Sequence, residues 1–312
     1  MNTSPQDLKH LYEEIADLKA QHHAVILGHY YALPEVQQAV DFLGDSLKLS
    51  QKAAETDARE IVFCGVEFMA ETASIISPDK KVLIPAQNAG CTLAESVTAA
   101  QLRAWKEQNP GGLVISYVNT SAEVKAETDY CVTSANALRI VRSLPTNVPL
   151  LFGPDRNLGR YISLVTGRQM DIWEGDCYVH RHVTSALVAE FLGAYPQAEL
   201  LIHPESVACA DPDVVNNPRC IIGSTTTILT RPAESSAPQF AVATEADILA
   251  ELYRRYPDKN FIPMVPEHKC EYMKLTTLEA LRDALLYQRY EVKVPEEIRR
   301  RAIVPIERML AL

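Results

Sequence analysis

What most constrains this chain is a step of about 88 residues that several unlike marks share. His29, Tyr117 and His203 each close an apolar run, 88 and 86 residues apart. Ser46, Ser134 and Ser224 follow at steps of 88 and 90, and Glu67, Asp155 and Glu245 keep those same steps. Cys91, Cys177 and Cys270 complete the series, 86 and 93 apart. Four marks keeping one period predict a tripled unit, each copy long enough for a small domain with its own sheet.

The texture within each copy sets the fold class. Short apolar runs (AVIL at 24–27, IVFC at 61–64, LVI at 113–115, LLF at 150–152, LLI at 200–202, FAVA at 240–243) alternate with stretches of helical spacing such as 46–56 and 68–76. Strand–helix alternation with strands apolar on both faces predicts an α/β protein with parallel sheets covered by helices. The expected architecture is three similar αβα sandwich domains around a pseudo-threefold axis. Turn sequences near 109–112 and 195–196 place their boundaries at 1–110, 111–196 and 197–312. The N-terminal helix and the tail after about residue 294 are expected to lie outside the repeat.

Composition excludes several function classes. Hydrophobic residues make up 47% and charged residues 22%, ordinary globular values. No apolar run is long enough for a membrane span, and the polar start lacks a signal-peptide core, so a cytoplasmic protein is expected. The net charge is −10, and no basic run longer than Arg299-Arg300-Arg301 occurs, which reads as a solvated helix face; nucleic acid is not an expected partner. Seven widely spaced cysteines without a C-x-x-C pair argue against both a disulfide framework and a zinc ribbon.

Ligands of open parallel sheets bind beyond the carboxyl ends of the strands, where the repeated polar residues lie. Each apolar opening is followed by a glutamate (Glu35, Glu123, Glu205) and then by a small-hydroxyl turn before a helix: GDS at 44–46, TSA at 133–135, GSTTT at 223–227. A serine there can cap a helix, and the helix start can also receive a carboxylate or phosphate. Glu205 stands two residues after His203, a spacing that aims both to one side of an extended segment and suits a general base. Tyr117 with Asn119, and His29 with Tyr31, repeat that spacing. His180 and His182 resemble a metal pair, but two ligands make no site, and His22, His23 and His268 likewise have no periodic support. One thiolate per repeat, with no fourth, describes an iron–sulfur cluster with one iron open as a Lewis acid. Cys64, Cys131, Cys209 and Cys220 occupy no matching positions. These residues alone leave open a dehydratase of another substrate, a non-catalytic iron or redox sensor, and a plain α/β protein with inert thiols.

Read together, GHYYALPEVQ, DFLGDSLKLS, VFCGVEFMAETA, AGCTLAES, YVNTSAEVKAETDYCVTSANA, FGPDRNLGRYI, WEGDCYVH, HPE at 203–205, GSTTT and KCEYMKLTTLE span most of residues 24–285. In these stretches the chain resembles the quinolinate synthases, iron–sulfur enzymes of NAD biosynthesis. The resemblance implies three αβα domains around a pseudo-threefold axis and a [4Fe–4S] cluster held by Cys91, Cys177 and Cys270. It also implies condensation of iminoaspartate with dihydroxyacetone phosphate to quinolinate, with loss of phosphate and two waters, and a functional link to an enzyme producing iminoaspartate. Glu205, Tyr31, Tyr117 and His203 are the implied catalytic residues; His29, Ser46, Asn119, Ser134, Ser224 and Thr225 the implied substrate contacts. The chain departs from relatives in carrying a single cysteine at 270 where others have a C-x-x-C-x-x-C run, in Ser206 where many have cysteine, and in a longer segment at 210–220.

Overall fold

The computed structural model describes residues 5–311. Three four-stranded sheets, all parallel, are built from consecutive stretches of chain. The first holds β1 (Ala24–His29), β2 (Phe42–Gly44), β3 (Glu60–Cys64) and β4 (Lys81–Leu83) in the order β2-β1-β3-β4. The second holds β5 (Leu113–Tyr117), β6 (Tyr130–Val132), β7 (Leu150–Gly153) and β8 (Asp171–Ile172) in the order β6-β5-β7-β8. The third holds β9 (Glu199–Ile202), β10 (Cys220–Ile222), β11 (Gln239–Ala243) and β12 (Asn260–Pro263) in the order β10-β9-β11-β12. One strand order thus occurs three times, each sheet flanked by helices, as expected for three similar αβα domains. Parallel pairing requires the helical crossovers, and the central strands are buried along nearly their whole length, including Ile26, Leu27, Ile115, Leu200 and Leu201.

In this order the topological switch lies between the first and third strands of each sheet. His29, Tyr117 and His203 stand at or just beyond the end of the first strand. Residues 65–67, 154–156 and 244–247 follow the third.

The chain forms two compact units, one of the residues up to Cys91 with Glu271–Arg299, the other of Thr92–Cys270 with the residues from Arg300. Residues 271–299, placed with the third repeat by the sequence reading, therefore group with the first sheet. The cause is apolar burial: Leu278, Leu281 and Leu285 of the helix Leu278–Tyr287 share a core with Leu11, Ile15, Ile26 and Val62. In the second unit, Arg301 and Arg308 of the last helix (Glu296–Leu310) donate to the carbonyls of Ala126 at 3.1 Å and Asp129 at 2.6 Å. The longer 210–220 segment folds into a short helix, Pro212–Val215, capped by Asp211. Among the described residues no helix is long and apolar enough to cross a membrane.

Candidate active site

Within the second unit, the ends of β5 and β9 and the turn after Cys177 converge on Glu205. The segment 203–206 is a turn rather than an extended run, closed by the Ser206 amide on the His203 carbonyl at 3.0 Å. The turn, not strand alternation, brings His203 Nδ1 within 3.6 Å of Glu205 Oε1. The Tyr117 hydroxyl donates to Glu205 Oε1 at 2.7 Å. His180 Nδ1 lies 3.1 Å from Glu205 Oε2, and its Nε2 lies 2.9 Å from the Thr244 hydroxyl. The rings of His180 and His203 stack with centroids 4.6 Å apart, and Asn157 donates to the Glu205 carbonyl at 3.0 Å. Ligand atoms of Cys177, His180 and Glu205 all lie within 4.8 Å of one another.

Glu205 is only 3% exposed. Burial raises a carboxyl pKa, but His180 and His203 beside it, with hydrogen bonds from His180 and Tyr117, outweigh burial and hold Glu205 down at about 2. With Glu205 ionised, its Oε2 accepts and His180 Nδ1 donates. Asp155 goes the other way: burial, then the nearby Glu205 charge, push its carboxyl well above the ordinary value.

The other expected residues lie at or just beyond strand ends of the three sheets. Asn119 is half-buried just beyond β5, its Oδ1 buried without a hydrogen-bond partner. Ser224 caps the helix Thr225–Glu234 by accepting from Thr227, and Thr225 is its first residue. The small-hydroxyl turns are not alike: Asp45, not Ser46, caps the helix Ser46–Glu55, and Ser134 precedes Asn136, the residue before the helix Ala137–Ser143. Of the three glutamates read as equivalent, only Glu205 is buried; Glu123 is exposed and Glu35 lies in a short helix. His29, Tyr31, Ser46 and Cys91 belong to the first unit. There the Tyr31 amide donates to His29 Nδ1 at 3.2 Å and the rings pack at 4.5 Å.

His180 is the main residue the spacing argument passed over, with Thr244 and Asn157 behind it. A histidine without counterparts in the other repeats is invisible to periodicity. The available signal was local: the turn after Cys177, where the His180 amide reaches the Cys177 carbonyl at 3.1 Å, joins thiol and imidazole.

The seven cysteines divide sharply. Cys91, Cys177 and Cys270 are partly exposed, while Cys64, Cys131, Cys209 and Cys220 are buried. Burial pushes the Cys131 thiol up to about 12 and raises the other three as well. The first three, partly open to solvent, are the better placed to ligate a metal as thiolates. The loops of Cys177 and Cys270 also touch, with the rings of His182 and His268 4.4 Å apart. A partly exposed thiol in each repeat is the donor type that an iron–sulfur cluster takes.

Comparison with known proteins identifies the family. The sequence model described as NadA, quinolinate synthetase A protein, matches residues 13–311. A quinolinate synthase of Pyrobaculum aerophilum is 47% identical over 303 residues, 96% of this chain and 98% of the relative. One from a Cyanothece species is 47% identical over 313 residues, 99% and 95% of the two chains. One from Thermus thermophilus is 46% identical over 302 residues, 97% of each. The chain belongs to the quinolinate synthase family.

Proposed function

We propose that the chain condenses iminoaspartate with dihydroxyacetone phosphate to form quinolinate, releasing phosphate and two waters, and that Cys91, Cys177 and Cys270 hold a [4Fe–4S] cluster for this reaction. The observation that carries the reading is a buried Glu205 held by Tyr117, His180 and His203 beside Cys177. When bound, such a cluster supplies an iron without a fourth thiolate, a Lewis acid toward a hydroxyl or carboxylate oxygen.

The chain's own residues supply proton traffic and orientation. Glu205 takes a proton from a carbon or hydroxyl of the condensing substrates, and its position among hydrogen-bond donors fixes the direction of that transfer. Tyr117 and His180 donate to its two oxygens, and Tyr117, once it gives its own proton to a substrate oxygen, can take up the one that Glu205 holds. His203 and Tyr31 serve as further proton-transfer partners. Asn119, whose buried Oδ1 lacks a partner, supports a polar substrate contact. His29, Ser46, Ser134, Ser224 and Thr225 complete the proposed contacts to carboxylate and phosphate oxygens. The reading includes a functional link to an enzyme that produces the short-lived imine.

The test is anaerobic turnover of the two substrates by wild type and Glu205→Gln. The variant is expected to keep its cluster and to lose quinolinate formation by about 10²–10⁴-fold, the usual worth of a positioned acid–base group. Full activity in the variant rejects Glu205 as the base; a loaded wild type that makes no quinolinate rejects the reaction.

A further inference from the structure

The cysteine loops of the second and third domains are built onto the same scaffold by the same contact. Asp155 follows β7, is fully buried, and divides its carboxylate between two amides: Oδ1 accepts from Leu158 at 2.7 Å and Oδ2 from Cys177 at 3.3 Å. Glu245 follows β11, is equally buried, and does likewise: Oε2 accepts from Asp247 at 2.9 Å and Oε1 from Cys270 at 3.3 Å. A second contact flanks each. Asp176, just before Cys177, pairs with Arg156 at 2.7 Å; Lys269, just before Cys270, pairs with Asp247 at 2.8 Å. The charges are exchanged between the domains, yet the pairing is kept.

In the first domain the matching position holds no carboxylate. Its Glu67 amide reaches the Ala89 carbonyl at 2.7 Å, as the Arg156 amide reaches Gly175 at 2.8 Å. Ala89 and Gly175 each stand two residues before the ligand cysteine. Val66 is therefore the counterpart of Asp155, each preceding the helix after the third strand of its sheet. Glu67, matched to Asp155 by spacing alone, is one residue off and exposed.

We infer that Asp155 and Glu245 are positioning residues that fix the backbone of Cys177 and Cys270 before a cluster is inserted. Burying a carboxylate is costly unless its oxygens are satisfied, and here each buried carboxylate spends one oxygen on a cysteine amide. The inference rests on the reading of Cys177 and Cys270 as cluster ligands.

The experiment compares iron release from the reconstituted protein to a chelator under anaerobic conditions, with amide hydrogen exchange of the metal-free protein at 175–178 and 268–271. Asp155→Asn and Glu245→Gln each keep one carbonyl oxygen but turn an amide nitrogen toward one of the two amide donors. Each is expected to release iron about tenfold faster than wild type, the order that losing one buried hydrogen bond implies, and to exchange faster at its own cysteine loop. Glu67→Gln is expected to match wild type in both readouts. Lys269→Met removes the ion pair between a half-exposed lysine and the buried Asp247, leaves the two cysteine-amide acceptors in place, and is expected to speed release a few-fold. Wild-type release and exchange in both carboxylate variants overturn the inference, as does equal acceleration in Glu67→Gln. A wild-type protein that takes up no iron overturns the cluster reading beneath it.

Discussion

The turn at the end of β1 and the turn at the end of β9 occupy the same place in the fold and are held by opposite means. At β1, main-chain carbonyls are the anchors. Gln37 donates to Tyr30 at 2.9 Å and to Ala32 at 2.8 Å, and Lys274 donates to Tyr31 at 2.6 Å, so three consecutive carbonyls are taken by side chains. At β9, side chains hold a side chain: Tyr117, His180 and His203 surround the Glu205 carboxylate. The first arrangement fixes the path of the backbone; the second fixes the charge state of one group. Equivalent fold positions are therefore not held in equivalent ways, and only the second gathers titratable side chains around a buried carboxylate.

The comparison can be broken at either end. Its largest expected effect is in Glu205→Gln, which removes the proton acceptor while leaving the β1 turn untouched; turnover should fall as stated above. Tyr117→Phe comes next. It strips one hydrogen bond from a buried carboxylate, at about 1.5–3 kcal/mol, measurable as a loss of unfolding free energy. Lys274→Met removes a single donor from the Tyr31 carbonyl and should cost about 1 kcal/mol. Its signature is faster amide exchange confined to residues 30–33, with none at 203–206.

A separate effect is in pH dependence. Glu205 is depressed from 4.5 to about 2. Its stabilising contribution is complete above the ordinary value and is lost as pH falls toward about 2. In the metal-free protein, unfolding free energy should therefore fall less steeply with acidification in Glu205→Gln than in wild type. Identical slopes would mean that Glu205 is not held ionised by its neighbours.

Much of this was legible in the sequence because repetition acts on the whole chain. Short apolar runs at a constant step required three like sheets, and cysteines in matching loops separated three ligand candidates from four buried thiols. Spacing does not resolve single residues, however. Glu67 keeps the period with Asp155, yet Val66 is its structural counterpart, because a helix can begin one residue earlier or later without disturbing the repeat. Nor does a repeat reveal what occurs once: His180 has no counterparts and was discounted for that reason. Leu278, Leu281 and Leu285 left the third repeat for the first core because apolar burial, not chain order, decides where a helix docks.

The most direct test of the central claim is iron and sulfide content after strictly anaerobic purification, for wild type and for Cys91→Ala, Cys177→Ala and Cys270→Ala. The account predicts about four irons and four sulfides per chain in wild type and loss of the cluster in each variant. A wild type without iron after anaerobic reconstitution, or a variant retaining the full complement, would contradict it.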